Sequence, residues 1–144
     1  MCQLTAVDAS EEALAVAREN ARALAPGNVS CIPGNWTEPV RGREFNVIVS
    51  NPPYVRADDE ALDNLRHEPG MALVAGEDGL DAIRVLAADC GDLLVDGGLL
   101  LIEHGAEQAD DMAQLLEDNG WAEIRCHNDL AGLPRVTAAR RGGK

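Results

Sequence analysis

Apolar residues fall along the chain in two rhythms: short unbroken runs, and longer stretches spaced three and four apart. Residues 3–7 (QLTAV) make a short β-rich run that ends at Asp8. Ser10 then suits an N-cap, and Glu11 and Glu12 favour the positive end of a helix. In that helix Leu14, Ala17, Ala21 and Leu24 share one face, and Pro26-Gly27-Asn28 stops it. Residues 29–32 predict a second strand. Residues 45–49 (FNVIV) predict a third, buried on both faces.

The rhythm breaks over 55–79, a polar stretch with little periodicity. A connection that long in a small domain is usually functional or only partly ordered. Helical spacing returns at 80–94, with Ile83, Leu86, Ala87, Cys90 and Leu94 inward. Asp96-Gly97-Gly98 turns the chain into a fourth buried strand at 99–102 (LLLI). Residues 109–116 read as a helix ending near Asn119-Gly120, and 122–126 and 136–139 as two closing strands. The alternation predicts one α/β domain, a mostly parallel sheet in a three-layer α/β/α sandwich.

Aromatic residues are only 3% of the chain, so the core must rest on Leu, Val, Ile and Ala. The formal charge of −13 repels phosphate, which disfavours a nucleic-acid partner and favours a small molecule or a protein. Arg135, Arg140, Arg141 and Lys144 gather near the end and read as a solvated terminus rather than a nucleic-acid arm. Cys2, Cys31, Cys90 and Cys126 form no CxxC pair and have no histidine at ligand spacing, so no zinc site is expected. The simplest setting is a reducing, cytoplasmic one, and no apolar stretch is long enough to cross a bilayer.

Ligands of open α/β sheets bind beyond the carboxyl ends of strands. Asp8, Asn51-Pro52-Pro53-Tyr54 and Glu103-His104-Gly105 all fall at such ends. The two prolines lack N–H groups and hold the residues before them extended. The tetrapeptide is therefore a stiff loop that can present the Asn51 side chain and the Pro52 carbonyl as paired acceptors. Such a pair can hold both hydrogens of a planar –NH₂ group, with Tyr54 packed against its plane. An amide or aromatic amine nitrogen is a weak nucleophile because its lone pair is delocalised. Two acceptors oppose that delocalisation and aim the lone pair at a methyl donor in line. Asp8 suits the two hydroxyls of a ribose, though the same place also suits an acid that merely flanks a helix. His67, His104 and His127 lack partners at catalytic spacing and read as structural.

Several short stretches follow one another in a specific order: Asn51-Pro52-Pro53-Tyr54, His67-Glu68-Pro69, Ala72-Leu73, Asp78-Gly79-Leu80, Gly97-Gly98, Glu103-His104-Gly105 and Arg135-Val136-Thr137. In this order the chain resembles the HemK/PrmC release-factor glutamine methyltransferases, from Gln3 to about Arg140. The resemblance implies a class I S-adenosylmethionine-dependent methyltransferase fold, Rossmann-like. It implies methyl transfer to the glutamine of the GGQ motif in class I peptide-chain release factors. It further implies that Asn51 and Pro52 bind the target amide, with Pro53 and Tyr54 completing the substrate site. Asp8 would bind the cofactor ribose, Asn35 and Trp36 would lie near its adenine, and Asn51 would border the cofactor. The family usually carries aspartate where this chain has Asn35, which weakens that one assignment.

Proteins similar to this one also carry an upstream helical domain, a first strand and a glycine-rich cofactor loop, and no such loop precedes Asp8. The expectation is therefore a single, incomplete catalytic domain with its first strand and glycine-rich loop missing. Such a chain should be weakly stable, pair strand 3–7 directly with 45–49, or associate through the open edge. Two other readings remain at this point. A nucleic-acid amine (adenine) methyltransferase shares the NPPY chemistry but is opposed by the charge. A non-catalytic fragment is favoured by the absent loop.

Overall fold

The computed structural model describes residues 2–25, 27–54 and 78–143; most of the polar stretch at 55–79, His67 included, lies outside them. The chain divides into two compact units, Met1–Arg41 and Gly42–Lys144.

In the first unit β1 (Leu4–Asp8) pairs in parallel with β2 (Val29–Pro33), in register from Leu4↔Val29 to Asp8↔Pro33. Helix α1 (Glu11–Leu24) makes the crossover that parallel strands require. It begins as the sequence predicts: the Ser10 hydroxyl accepts from Ala13 N at 3.2 Å, and the Asp8 carboxylate accepts from Ser10 N at 2.8 Å. Leu14 is buried and Ala17 and Ala21 are half-buried, but Leu24 is 84% exposed. Fourteen helical residues run about 21 Å against about 16 Å for a five-residue strand, so the helix outlasts the sheet under it.

The second unit is built on a four-stranded mixed sheet of order β3-β4-β6-β5. Strand β3 (Phe45–Ser50) is parallel to β4 (Leu94–Glu103), while β6 (Pro134–Arg141) runs antiparallel to both β4 and β5 (Trp121–Asn128). Helices α2 (Asp81–Leu93) and α3 (Ala109–Asp118) cover one face of this sheet. Their Ile83, Leu86, Ala87, Cys90, Met112 and Leu116 pack with Leu100, Ile102, Trp121 and Ala139. The Trp121 indole N–H is satisfied inside this core by the Ala87 carbonyl at 2.9 Å.

Three features differ from the sequence reading. Strand β3 buries only one face: Ile48 packs on the core, while Val47 is 49% and Val49 73% exposed. Among the described residues β3 is an edge strand of its sheet, and the helices of this core meet one of its faces only. Strands β1 and β2 form, among the described residues, a two-stranded sheet and β3, β4, β6 and β5 a four-stranded one, where the sequence reading expected a single sheet. The turn expected at Asp96-Gly97-Gly98 lies inside a longer β4. It survives as a break in the ladder, whose partners jump from Phe45↔Leu94 to Val47↔Leu99, with Gly97 at φ 70°.

Cys90 makes the packing of α2 measurable. Burial, with the Asp89 carboxylate adding to it, pushes its thiol from the ordinary 9.0 up to about 12. The folded pKa lies above the unfolded one. The neutral thiol therefore leaves stability unchanged below about pH 9, and stability falls as the pH climbs from about 9 toward 12. With a thiol reagent at neutral pH, Cys2 and Cys126, both exposed, should react at once and Cys90 only on unfolding. Equal rates for Cys90 and Cys2 would mean that α2 does not seal the sheet.

Candidate functional site

The carboxyl ends of the strands in each unit hold the residues singled out from sequence. In the first unit Asp8 ends β1 and its backbone carbonyl accepts from Gly34 N at 3.1 Å, which brings the β2 exit beside it. Gly34 has no room for a side chain, since a Cβ there would lie 2.2 Å from Pro39 Cγ. The chain then passes Asn35 and reaches Trp36 at φ 47°, an uncommon conformation for a bulky residue, before the short 3₁₀ turn Glu38–Val40. Asp8 and Trp36 are both exposed. One carboxylate oxygen of Asp8 holds Ser10 N, which leaves the other to accept from hydroxyls. A carboxylate acceptor at the end of β1 and an exposed indole just past the end of β2 are the two kinds of group that suit a nucleoside: the acid for vicinal hydroxyls, the ring for stacking on a base.

In the second unit the register Ser50↔Ile102 sets Asn51 level with Glu103, so the NPPY tetrapeptide and the Glu103-His104-Gly105 turn leave the sheet side by side. Asn51 is exposed and its amide has no hydrogen-bond partner among the described residues; Pro52 is buried, and Pro53 and Tyr54 are half-buried. The Tyr54 hydroxyl reaches Glu103 Oε1 at 3.5 Å, and the Tyr54 carbonyl accepts from Gln108 Nε2 at 3.2 Å.

The turn after β4 is itself pinned from β6. His104 is fully buried, with Nε2 2.8 Å from the Thr137 hydroxyl and Nδ1 2.8 Å from the Gly105 carbonyl. The His104 backbone bonds Arg135 in both senses, N–H to the Arg135 carbonyl at 2.9 Å and carbonyl to the guanidinium at 3.4 Å. Arg135 also pairs with Asp129 at 3.3 Å, and Asp129 caps its hairpin by accepting from Ala131 N and Leu133 N. Those two backbone N–H groups, with Arg135, hold the Asp129 carboxyl below the usual carboxylate range. Asp78, at the start of α2, is held at about 2, chiefly by its hydrogen bond with Arg84 and then by Leu80 N.

Of the basic residues near the end, Arg135, Arg140 and Arg141 lie in β6 rather than in a free terminus, with Arg140 still exposed, and Lys144 lies outside the described residues. Arg140 donates to the Gly97 carbonyl at 2.7 Å and pairs with Glu123 at 3.4 Å, and Arg141 donates to the Leu94 carbonyl. No group of three or more potential metal ligands occurs among the described residues. Gln108 was not singled out from sequence: its side-chain oxygen accepts from Gly105 N, one half of a capping box, but glycine has no side chain to complete the pattern that would have marked it.

Asp8, Asn35 and Trp36 therefore form one group within the first unit, and Asn51, Pro52, Pro53 and Tyr54 another within the second. A family model described as methyltransferase small domain matches residues 1–76. The release factor glutamine methyltransferase of Coxiella burnetii is 42% identical over 139 residues, which is 96% of this chain and 50% of that protein. The methyltransferase from Pyrococcus furiosus shares the fold at TM-score 0.73 and 18% identity, over 99% of this chain and 64% of its own. The release factor-specific protein-(glutamine-N5) methyltransferase of Alicyclobacillus acidocaldarius matches at TM-score 0.54 and 26% identity, over 99% of this chain and 81% of its own. The chain spans about half the length of the curated relatives it matches.

Proposed function

The chain belongs to the methyltransferase small domain family, and we propose that it supplies the amide-binding and ribose-binding parts of an S-adenosylmethionine-dependent protein-glutamine N-methyltransferase. The substrate is the GGQ glutamine of a class I peptide-chain release factor. The observation that carries this reading is the exposed Asn51 beside Pro52 at the exit of β3, its amide without a hydrogen-bond partner among the described residues, in a chain 42% identical to a release factor glutamine methyltransferase.

When bound, S-adenosylmethionine supplies an electrophilic methyl group. Asp8 accepts from the two ribose hydroxyls, Trp36 offers its ring to the adenine, and the Asn35 side-chain oxygen accepts from the adenine amino group. Asn51 Oδ1 and the Pro52 carbonyl take the two hydrogens of the target amide. They would oppose conjugation of its nitrogen lone pair and so make it a better nucleophile toward the methyl group, while Tyr54 would pack on the amide plane. Among the described residues no internal hydrogen bond of the Asn51 amide has to be broken first. The surplus of acidic residues suits a protein substrate over a nucleic acid.

The test is to incubate the protein with S-adenosylmethionine and a recombinant class I release factor, then fragment the GGQ peptide by mass spectrometry. A single methyl on the glutamine amide nitrogen is the expected result. Methyl transfer to adenine in an oligonucleotide, with none to the release factor, would replace this reading with the nucleic-acid one. A companion prediction concerns Asp8→Ala. It should weaken cofactor binding by roughly tenfold, the worth of about one charge-assisted hydrogen bond, with the amide site untouched. Unchanged affinity by calorimetry would remove Asp8 from the ribose site.

A further inference from the structure

We infer that Gln108 is a positioning residue for the NPPY turn, fixing the Tyr54 end of the amide-binding loop to the turn that follows β4. The inference rests on the glutamine-methyltransferase reading for its kinetic consequence, but the geometry stands by itself.

Gln108 is a buried neutral amide at the end of the 3₁₀ turn Ala106–Gln108, just before α3. Its Oε1 accepts from Gly105 N at 2.8 Å, which fixes which way the amide faces. Its Nε2 then lies 3.2 Å from the Tyr54 carbonyl, 3.4 Å from that of Asp78 and 3.4 Å from that of Gly79. Two hydrogens are shared among three acceptors, with the shortest contact to Tyr54. One side chain thereby ties Tyr54, at the end of the NPPY loop, to Asp78 and Gly79, which lead into α2.

The space around this amide is kept open by two glycines. A Cβ on Gly79, itself at φ 76°, would lie 2.5 Å from the Tyr54 carbonyl oxygen and 2.6 Å from Gln108 Nε2. A Cβ on Gly105 would lie 3.0 Å from Gln108 Oε1. A buried amide boxed in by two glycines and spending both ends on backbone groups does more than start a helix. Starting α3 needs only the bond to Gly105. The Nε2 contacts reach residues 54, 78 and 79, far away in sequence, and one of those is Tyr54. Because Tyr54 also touches Glu103, both the backbone and the ring of this residue are referred to the same β4 turn.

Tyr54 is the only tyrosine in the chain, so a ¹³C-tyrosine label reports on this site with a single ring signal. Trp121, whose indole N–H is fixed in the core, serves as an internal reference. The test compares Gln108→Met, which keeps length and loses every hydrogen bond, with Gln108→Glu. The latter keeps an acceptor for Gly105 N but loses the donors. Gln114→Met, an exposed amide on the same helix bonded to Asp118, is the control. Both Gln108 variants should shift or split the Tyr54 signal and leave the Trp121 signal in place. Each should lower kcat for release-factor methylation about tenfold or more, since small misplacement in a preorganised site is costly. The dissociation constant for S-adenosylmethionine should stay within about twofold.

If Gln108→Glu keeps the Tyr54 signal and the rate of the parent protein, Gln108 is only a helix cap and the inference is overturned. Equal shifts at Tyr54 and Trp121 would mean general loosening, and would overturn it as well. Should the parent protein methylate no release factor, the functional reading falls, while the tyrosine signal still decides the role of Gln108.

Discussion

Asn51→Ala is expected to lower the rate of methyl transfer by about a hundred- to a thousandfold, the usual loss when one preorganised hydrogen-bonding group is removed from a reacting centre. Two properties of the residue make this a clean experiment. Asn51 is exposed and its amide has no hydrogen-bond partner among the described residues, so its removal leaves no buried group unsatisfied and stability should change by less than about 0.5 kcal/mol. It also lies between two rigid elements, the end of β3 and Pro52, so alanine inherits the same backbone path. The loss should therefore appear in the single-turnover rate with saturating cofactor, with the melting temperature unchanged. A rate within about threefold of the parent would show that the Asn51 oxygen does not hold the amide. The assignment of the NPPY loop would then fail with it.

The largest effect on stability is expected from Ile102→Ala. Ile102 is fully buried on β4, bracketed by Ser50 of β3 and Thr137 of β6, and it packs in the cluster shared with α2 and α3. Truncating such a residue costs about 2–5 kcal/mol, because the cavity left among strands fixed on both sides can close only partly. Against a typical total of about 5–15 kcal/mol that is a large share, and it should lower the melting temperature by about 10–20 °C. Val49→Ala, on the open face of β3, should cost less than about 1 kcal/mol. Urea titration of the two variants separates these cases. Equal losses would mean that the exposed face of β3 is covered in solution, and that the division into a buried and an open face is wrong.

Much of this arrangement could be read along the chain where one local rule decided the outcome. Ser10 caps α1 as its side chain dictates, and the inward face expected of α2 is buried at Ile83, Leu86, Ala87 and Cys90, with Leu94 buried as the first residue of β4 rather than in the helix. The NPPY loop was legible for the same reason, since two prolines after a strand fix a path almost without help from tertiary structure. Features that depend on neighbours were not legible. The run FNVIV is apolar whether or not both faces find cover, so the pattern alone could not reveal the exposed Val47 and Val49. Leu24 follows the α1 periodicity, but the length of the sheet beneath it is a property of other residues. Gln108 looked like any polar residue at a helix start. Its meaning lies in the carbonyls of Tyr54, Asp78 and Gly79, which only folding brings to it.

The position of β6 has a consequence for how the molecule comes into being. Among the described strands β6 comes after all the others in sequence, yet it sits inside the sheet between β4 and β5, and its Arg135 and Thr137 hold the His104 turn. A growing chain emerging from the ribosome would carry β3, its NPPY loop and β4 long before the strand that locks them arrives. Until then β4 and β5 have no common partner, and the His104 ring has no hydroxyl to meet. Folding of this unit is therefore a late event, governed by contacts between segments distant in sequence and correspondingly slow. A polypeptide stopped short of residue 134 would carry every proposed catalytic group but lack the strand that pins the His104 turn beside the NPPY loop.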